Sequence, residues 1–137
     1  MKQSRNPKTI HPPLAAYAHQ IEISGAQRWL LLSGQVGMQP DGTLPEDPAQ
    51  QFEIALDNIS KNLQAAKMEV KDLVKLTLYL VNPIEAETRT KLLSAWLKGH
   101  EPCMTLIYVA ALANPRIKVE LDAMACADYE GIYVEIQ

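Results

Sequence analysis

The chain has 137 residues, 47% of them hydrophobic and 21% charged, and a formal net charge of −3. This length and composition predict one globular domain over residues 1–137 and exclude a disordered chain. The small negative charge provides no attraction to phosphate backbones, so we expect no nucleic-acid partner.

Membrane, disulfide and metal signals are weak throughout the sequence. No apolar run approaches the roughly 20 residues that cross a bilayer, and the polar N-terminal segment does not resemble a signal peptide. We therefore expect no membrane partner and a cytoplasmic location. Cys103 and Cys126 are not expected to pair. The spacing of His11, His19 and His100 suits no metal, and no cofactor is predicted.

The N-terminal third predicts β-strands. Consecutive prolines exclude a helix at residues 11–13. Moderate alternation over residues 17–23 and an apolar run over 28–32 predict two strands, and Asp41-Gly42 predicts a tight turn further on. Together these segments predict an antiparallel meander.

A helix is predicted to begin at Asp47-Pro48, with Asp47 as N-cap and Pro48 at the first helical position. Apolar residues then recur at steps of three and four, which places them on one face of a helix. These residues are Phe52, Ala55, Leu56, Ile59, Leu63 and Ala66.

The remaining elements are a strand, a second helix and two more strands. Residues 73–81 predict the strand because they are rich in Leu and Val. Asn82-Pro83 is predicted to open the second helix and Gly99 to close it. Residues 105–111 and 118–125 predict the last strands. The inner face of the second helix is expected to carry Ile84, Thr88, Leu92, Leu93 and Trp96.

This order of elements (β-β-α-β-α-β-β) predicts an α+β fold in which one mixed sheet carries both helices on one face. The strands have too many apolar residues on both sides to leave the other face in water. Because two helices cannot cover both faces, we expect copies of the chain to cover the second face in an obligate oligomer.

Several segments, in this order and spacing, resemble the Rid (YjgF-like, endoribonuclease L-PSP-like) family over about residues 11–127. The resemblance implies a chorismate mutase-like (YjgF-like) fold and a homotrimer that packs its sheets in a central barrel, with clefts for a small-molecule ligand between subunits. The best-known members hydrolyse imines and enamines. The matching segments are Tyr17, residues 33–36, the helix from Pro48 with residues 56–59, residues 72–80, Pro102, Thr105 and residues 119–123.

Four positions match family site residues. By resemblance, Glu120 corresponds to the glutamate that positions the hydrolytic water, Tyr17 to a pocket tyrosine, and Ser33 and Gly34 to a strand end that lines the cleft. Asp122 shares a strand face with Glu120. In a cleft, Glu120 would serve as general acid or base. Alternatively, Glu120 is an exposed carboxylate on a strand edge.

Two positions depart from the family pattern. Met104 stands where an arginine grips the substrate carboxylate, and Thr90 where many active members have asparagine. The chain thus resembles subgroups that lack the arginine. Loss of a charged donor from a desolvated pocket costs about 2–5 kcal/mol. We therefore expect 2-aminoacrylate to be a poor substrate and a neutral or apolar molecule to suit the pocket better.

Other candidates have two interpretations each. Cys103 and Thr105 flank Met104 and are predicted to contact the ligand; Cys103 is either a nucleophile or, as we favour, an inert small hydrophobe. Arg89 either supplies a charge to the cleft or, the favoured interpretation, lies on solvated helix surface. Trp29 and Trp96 are expected to serve packing, and Cys126 is expected to pack in the core.

Three functions remain open. The first is hydrolysis, or deamination, of an imine, enamine or related small molecule, with Glu120 activating water. The second is a non-catalytic, chaperone-like trimer that binds a small ligand. The third, an endoribonuclease or translation inhibitor, is ranked lowest, because the sequence has no basic patch with interleaved aromatics and no His pair.

Overall fold

The structure is a computed structural model that describes residues 1–129. It contains seven strands and two α-helices in that part of the chain, and a short 3₁₀ turn (Val70–Asp72) precedes the fifth strand. The elements are β1 (Lys2–Arg5), β2 (Gln20–Ile23), β3 (Gln27–Leu31), β4 (Gln35–Val36), α1 (Pro48–Ala65), β5 (Leu73–Leu80), α2 (Ala86–Leu97), β6 (Cys103–Tyr108) and β7 (Val119–Asp128).

The main sheet has five strands in the order β3-β7-β5-β6, with β4 also paired to β7. β5 and β6 are parallel and the other pairs are antiparallel. The predicted mixed sheet with two helices packed on it is confirmed. The predicted N-terminal meander is wrong: β2 pairs with β1 in a separate two-stranded sheet, and β3 pairs with β7.

Helix α1 begins where the sequence predicts. The side chain of Asp47 accepts a hydrogen bond from the Ala49 N–H at 3.1 Å, and Pro48 occupies the first turn, where no N–H partner is needed. The apolar stripe of α1 packs in a single cluster with residues of β5 and β7. The members of the stripe that are buried are Phe52, Ala55, Leu56, Ile59 and Leu63.

Helix α2 begins later than predicted, at Ala86 rather than Asn82-Pro83. Residues 83–85 have no regular structure, and Ile84 is buried from this loop rather than from the helix. At the other end the helix stops at Leu97. The C-cap is Lys98, one residue before the predicted cap at Gly99. Both residues have positive φ, 50° for Lys98 and 85° for Gly99.

The helices cover one face of the main sheet and leave the other face exposed. Alternate residues of β5 and β7, such as Leu76 and Leu121, are buried beneath the helices. Large apolar side chains on the opposite face, among them Trp29, are exposed in the single chain. The exposed fractions on this open face are 49% for Trp29, 68% for Leu31, 39% for Ile107 and 36% for Met124.

Cys126 and Trp96 are packed as predicted. Cys126 is buried, and burial raises the pKa of its thiol. Cys103 and Cys126 are both free. Trp96 packs against the core and donates its indole N–H to the Ser60 hydroxyl at 2.8 Å.

Among residues 1–129, neither helix has the length and apolar character to cross a membrane.

Candidate functional site

The predicted site residues fall into two groups, and the first surrounds Glu120 on the open face of the sheet. Glu120 lies between the buried residues Val119 and Leu121 of β7, so its half-buried side chain points away from the helices. Pairing of β4 with β7 places Val36 opposite Glu120. The exposed Ser33 and Gly34 immediately precede β4, and Gly34 lies beside the carboxylate.

Gly34 and Glu120 are in close contact. A Cβ atom at position 34 would overlap the Glu120 carboxylate and the Cγ atom of that side chain. Only a residue without a side chain leaves the carboxylate where it lies. The sequence motif around Gly34 thus shapes the surroundings of Glu120 directly.

We expect Gly34→Ala to lower the free energy of unfolding by about 0.5–1 kcal/mol, because the flexible Glu120 side chain must move to a less favourable rotamer. The cost should nearly vanish when Glu120→Ala is present as well. Chemical unfolding of the two single variants and the double variant would measure this coupling. Equal costs of Gly34→Ala in both backgrounds would contradict the contact.

Asp122 and Tyr79 extend the Glu120 group. The Tyr79 hydroxyl donates to Asp122 Oδ2 at 3.2 Å. The charge of Asp122 raises the pKa of Tyr79, with further contributions from that hydrogen bond, from desolvation and from the charge of Glu120. Tyr79 therefore stays a protonated donor beside two carboxylates. Sequence alternation had placed Asp122 on the face of Glu120, but it had not singled out Tyr79.

The second group surrounds a cavity of about 190 Å³ between α2 and β6. Tyr17, Thr90, Met104 and Thr105, all predicted ligand contacts, line this cavity together with Arg89. Met104 packs against the core, so it lies on the helix side of the sheet. We refer to this cavity as the α2–β6 pocket.

Arg89 is one of the residues that line the α2–β6 pocket, and it is also partly exposed on the surface of α2. It is half-buried, and its Nη1 donates to the Tyr108 hydroxyl at 3.4 Å. Spacing along α2 could have indicated this position. Arg89 lies one turn before Leu93, which also lines the pocket.

Cys103 does not line the α2–β6 pocket within the described part of the chain. Since it alternates with Met104 along β6, its half-buried side chain lies on the open face, with Lys75 as its registered neighbour. The Thr105 hydroxyl accepts a hydrogen bond from Lys75 Nζ at 2.8 Å on the same face. Thr105 thus borders both the pocket and the open face, whereas Cys103 borders only the latter.

Three further clefts within residues 1–129 contain none of the predicted site residues. A larger cleft of about 480 Å³ lies between α1 and α2 and is lined in part by Trp96 and His100. His100 has a structural partner there, the Leu73 carbonyl, at 2.8 Å from Nε2. Residues 1–129 contain no cluster of three or more His, Cys, Asp or Glu side chains suited to a metal ion.

The two groups of site residues lie on opposite sides of one sheet and on different strands. Glu120 is on β7, Met104 is on the edge strand β6, and β5 runs between them. A ligand in the α2–β6 pocket of one chain therefore cannot reach the carboxylate of Glu120 in that same chain.

Comparison with known proteins shows extended similarity. A family model described as endoribonuclease L-PSP matches residues 8–127. The 2-iminobutanoate/2-iminopropanoate deaminase of Escherichia coli strain K12 is 30% identical over 100 residues, which are 70% of this chain and 77% of that protein. The protein of the same name from Rattus norvegicus is 27% identical over 114 residues, 82% of this chain and 80% of that one.

The fold is likewise similar to solved structures. The crystal structure of YyfB, a Rid-family protein from Yersinia pestis, matches with a TM-score of 0.79 and 31% identity. The match covers 92% of this chain and 98% of that one.

Proposed function

We infer the function from one premise: the chain belongs to the Rid family, whose model is described as endoribonuclease L-PSP. We propose that it is a cytoplasmic homotrimer that binds a small metabolite in clefts between its subunits. We further propose that it hydrolyses an imine or enamine there. Relatives named 2-iminobutanoate/2-iminopropanoate deaminase support this class of reaction.

The separation of the two groups of site residues is the observation that carries the proposal. The α2–β6 pocket opens beside the edge strand β6, and Glu120 lies on the uncovered face of the same sheet. Packing two copies edge to face would bring the pocket of one against the Glu120 of the next. Exposed apolar side chains on the open face, such as Trp29 and Leu31, supply a surface that association would bury.

The proposed chemistry needs one acid–base group and one water. Glu120 takes a proton from the water as its oxygen attacks the imine carbon, and the C=N double bond becomes a single bond. That proton passes to nitrogen, which gives a carbon bearing one hydroxyl and one amino group. The proton of the hydroxyl is then carried to nitrogen by the same carboxylate, the C–N bond breaks with release of ammonia, and the carbon is left as a carbonyl. Gly34 borders the carboxylate that performs both transfers, while Tyr17, Thr90 and Thr105 border the bound molecule.

We expect the wild-type protein to accelerate the hydrolysis of 2-aminoacrylate little, because Met104 offers no charged donor to its carboxylate. Met104→Arg should raise the rate roughly 10- to 100-fold, which corresponds to one charge-assisted hydrogen bond. Pyruvate release from enzymatically generated 2-aminoacrylate measures both. A matched control is Met38→Arg, since Met38 is exposed in a loop outside both groups of site residues. Rapid wild-type turnover would contradict this account of position 104.

A second candidate function is non-catalytic binding in the same cleft. The α2–β6 pocket favours it, because this cavity is formed without any contribution from Glu120. A Glu120→Gln variant separates the two functions. Ligand binding with unchanged affinity and no reaction in either protein would indicate a receptor, whereas loss of turnover alone would indicate an enzyme.

A further inference from the structure

Two histidines, His11 and His19, lie side by side in the segment that joins β1 to β2. Their ring centroids are 5.0 Å apart, and the ring planes are inclined to each other by 74°. His11 is exposed and His19 is half-buried. Their interval along the chain is not a common metal-binding spacing, so the sequence did not indicate a shared site. The folded segment nevertheless brings the two imidazoles together.

The hydrogen bonds of the two rings leave one nitrogen of each ring available as a metal ligand. His11 Nδ1 lies 2.7 Å from the Pro12 carbonyl oxygen, and His19 Nε2 lies 2.7 Å from the His11 carbonyl oxygen. Because a carbonyl oxygen only accepts, each of these nitrogens carries the proton of a neutral imidazole. The lone pairs are therefore on His11 Nε2 and His19 Nδ1. A metal-binding histidine commonly has this arrangement, with its other N–H donated to a backbone carbonyl.

The separation of the rings matches that of two imidazoles bound to one ion. A zinc ion lies about 2.0–2.1 Å from a ligating ring nitrogen, which places it about 3.2 Å from the ring centroid. Two imidazoles at the tetrahedral angle then have centroids about 5.2 Å apart, close to the 5.0 Å between His11 and His19. The backbone thus already holds the rings at the distance that a shared ion requires.

The backbone that carries the rings is also restrained. Pro12 and Pro13 have a fixed φ and directly follow His11. The backbone N–H of His19 donates to the Asn6 side chain at 2.8 Å, and β2 begins at the next residue. Ligands that are held in advance lose less conformational entropy when they bind an ion. Restraint at both residues therefore favours binding.

Closure of the segment explains the position of His19 but not that of His11. The ring of His19 reaches back to the His11 carbonyl, so it holds the segment closed. The ring of His11 bonds to the adjacent Pro12 carbonyl and contacts the ring of His19. An exposed imidazole with these contacts contributes little to the fold. A ligand shared by the two rings accounts for both.

We propose that His11 and His19 together bind one divalent transition-metal ion such as zinc, through His11 Nε2 and His19 Nδ1. Imidazole nitrogen is a suitable ligand for zinc, nickel and copper. Two protein ligands leave the remaining positions of the ion to water, unlike the four protein ligands of a structural zinc site.

The proposed ion would join the two ends of a segment that contributes to the α2–β6 pocket. Tyr17 lies in this segment and lines the pocket, and its ring contacts that of His19 with centroids 5.7 Å apart. Metal binding would thereby restrain one wall of the pocket. The inference does not depend on imine hydrolysis, because the ion is held by residues outside the proposed reaction.

The test is a titration of the full chain, first freed of metal, with zinc chloride in a calorimeter. We expect one ion per chain. His11→Asn and His19→Gln each keep an amide N–H in place of the donating ring N–H and remove the ligating nitrogen. Each should weaken binding at least about 10-fold, since even the loss of an outer-shell partner of a metal ligand costs that much. His100→Gln is the matched control and should leave the affinity unchanged, because His100 lies in the cleft between α1 and α2.

Hydrogen exchange measures the restraint of the segment. The Leu14 N–H donates to the Tyr17 hydroxyl at 3.0 Å, and zinc should slow its exchange with solvent in the wild-type protein but not in His19→Gln. Unchanged affinity in His11→Asn or in His19→Gln would overturn the shared site, as would the absence of saturable binding at millimolar zinc. An unchanged exchange rate of the Leu14 N–H with zinc bound would refute the restraint of the pocket wall.

Discussion

Replacing Gln51 with leucine is expected to lower the free energy of unfolding by about 3–5 kcal/mol, although the two side chains are similar in size. Gln51 is fully buried on α1. Its Nε2 donates to the carbonyls of Pro45 and Arg116 at 2.7 and 3.0 Å, and its Oε1 accepts from the Lys118 N–H at 2.8 Å. Leucine would leave three backbone groups without partners, at about 1–3 kcal/mol each before relaxation.

Urea unfolding at one fixed protein concentration measures this loss, since the stability of an oligomer depends on concentration. The adjacent Gln50 is exposed on the same helix, so Gln50→Leu is the matched control and should change stability by less than about 0.5 kcal/mol. A loss below about 1 kcal/mol for Gln51→Leu would mean that water satisfies the backbone groups instead. The effect bears on the site as well, because Lys118 is two residues before Glu120.

Elements whose signals are local could be predicted from the sequence. The start of α1 depends on Asp47 and Pro48 alone, and both act within one turn of the helix. The strand β1 could not be predicted, because its residues, Lys2–Arg5, are polar and, apart from the half-buried Lys2, exposed, and they are held by pairing with β2 fifteen or more residues away. The predicted start of α2 was wrong because Asn82-Pro83 satisfies the rules for a helix start and for a loop equally well.

The candidate site shows the same division between local and distant determinants. Family resemblance identified Glu120 and Gly34, but their contact depends on the register of β4 against β7, some 86 residues apart in sequence. Strand alternation, which is local, would have separated Cys103 from Met104. Whether Arg89 lies in a pocket or in solvent depends on how α2 packs beside β6, and its sequence context is compatible with both.

Mixing two proteins that hydrolyse 2-aminoacrylate slowly is expected to produce a faster one if each cleft takes its residues from two copies. Wild-type protein keeps Glu120 but lacks an arginine at position 104. The double variant Met104→Arg/Glu120→Gln has the arginine but not the base, and should be about 10²- to 10⁴-fold slower than Met104→Arg alone. Oligomers assembled from both proteins contain clefts with Arg from one copy and Glu120 from its neighbour.

With equal amounts and random assembly, roughly a quarter of the clefts combine both groups, so about that fraction of the Met104→Arg rate should appear. Co-expression with two affinity tags isolates the mixed oligomers, and pyruvate release from 2-aminoacrylate gives the rate. The same two proteins assembled separately and then combined without exchange are the control, and should stay slow. Mixed oligomers no faster than that control would place both residues in a cleft of a single copy. That result contradicts the geometry, because β5 and the full thickness of the sheet separate Met104 from Glu120 within one chain.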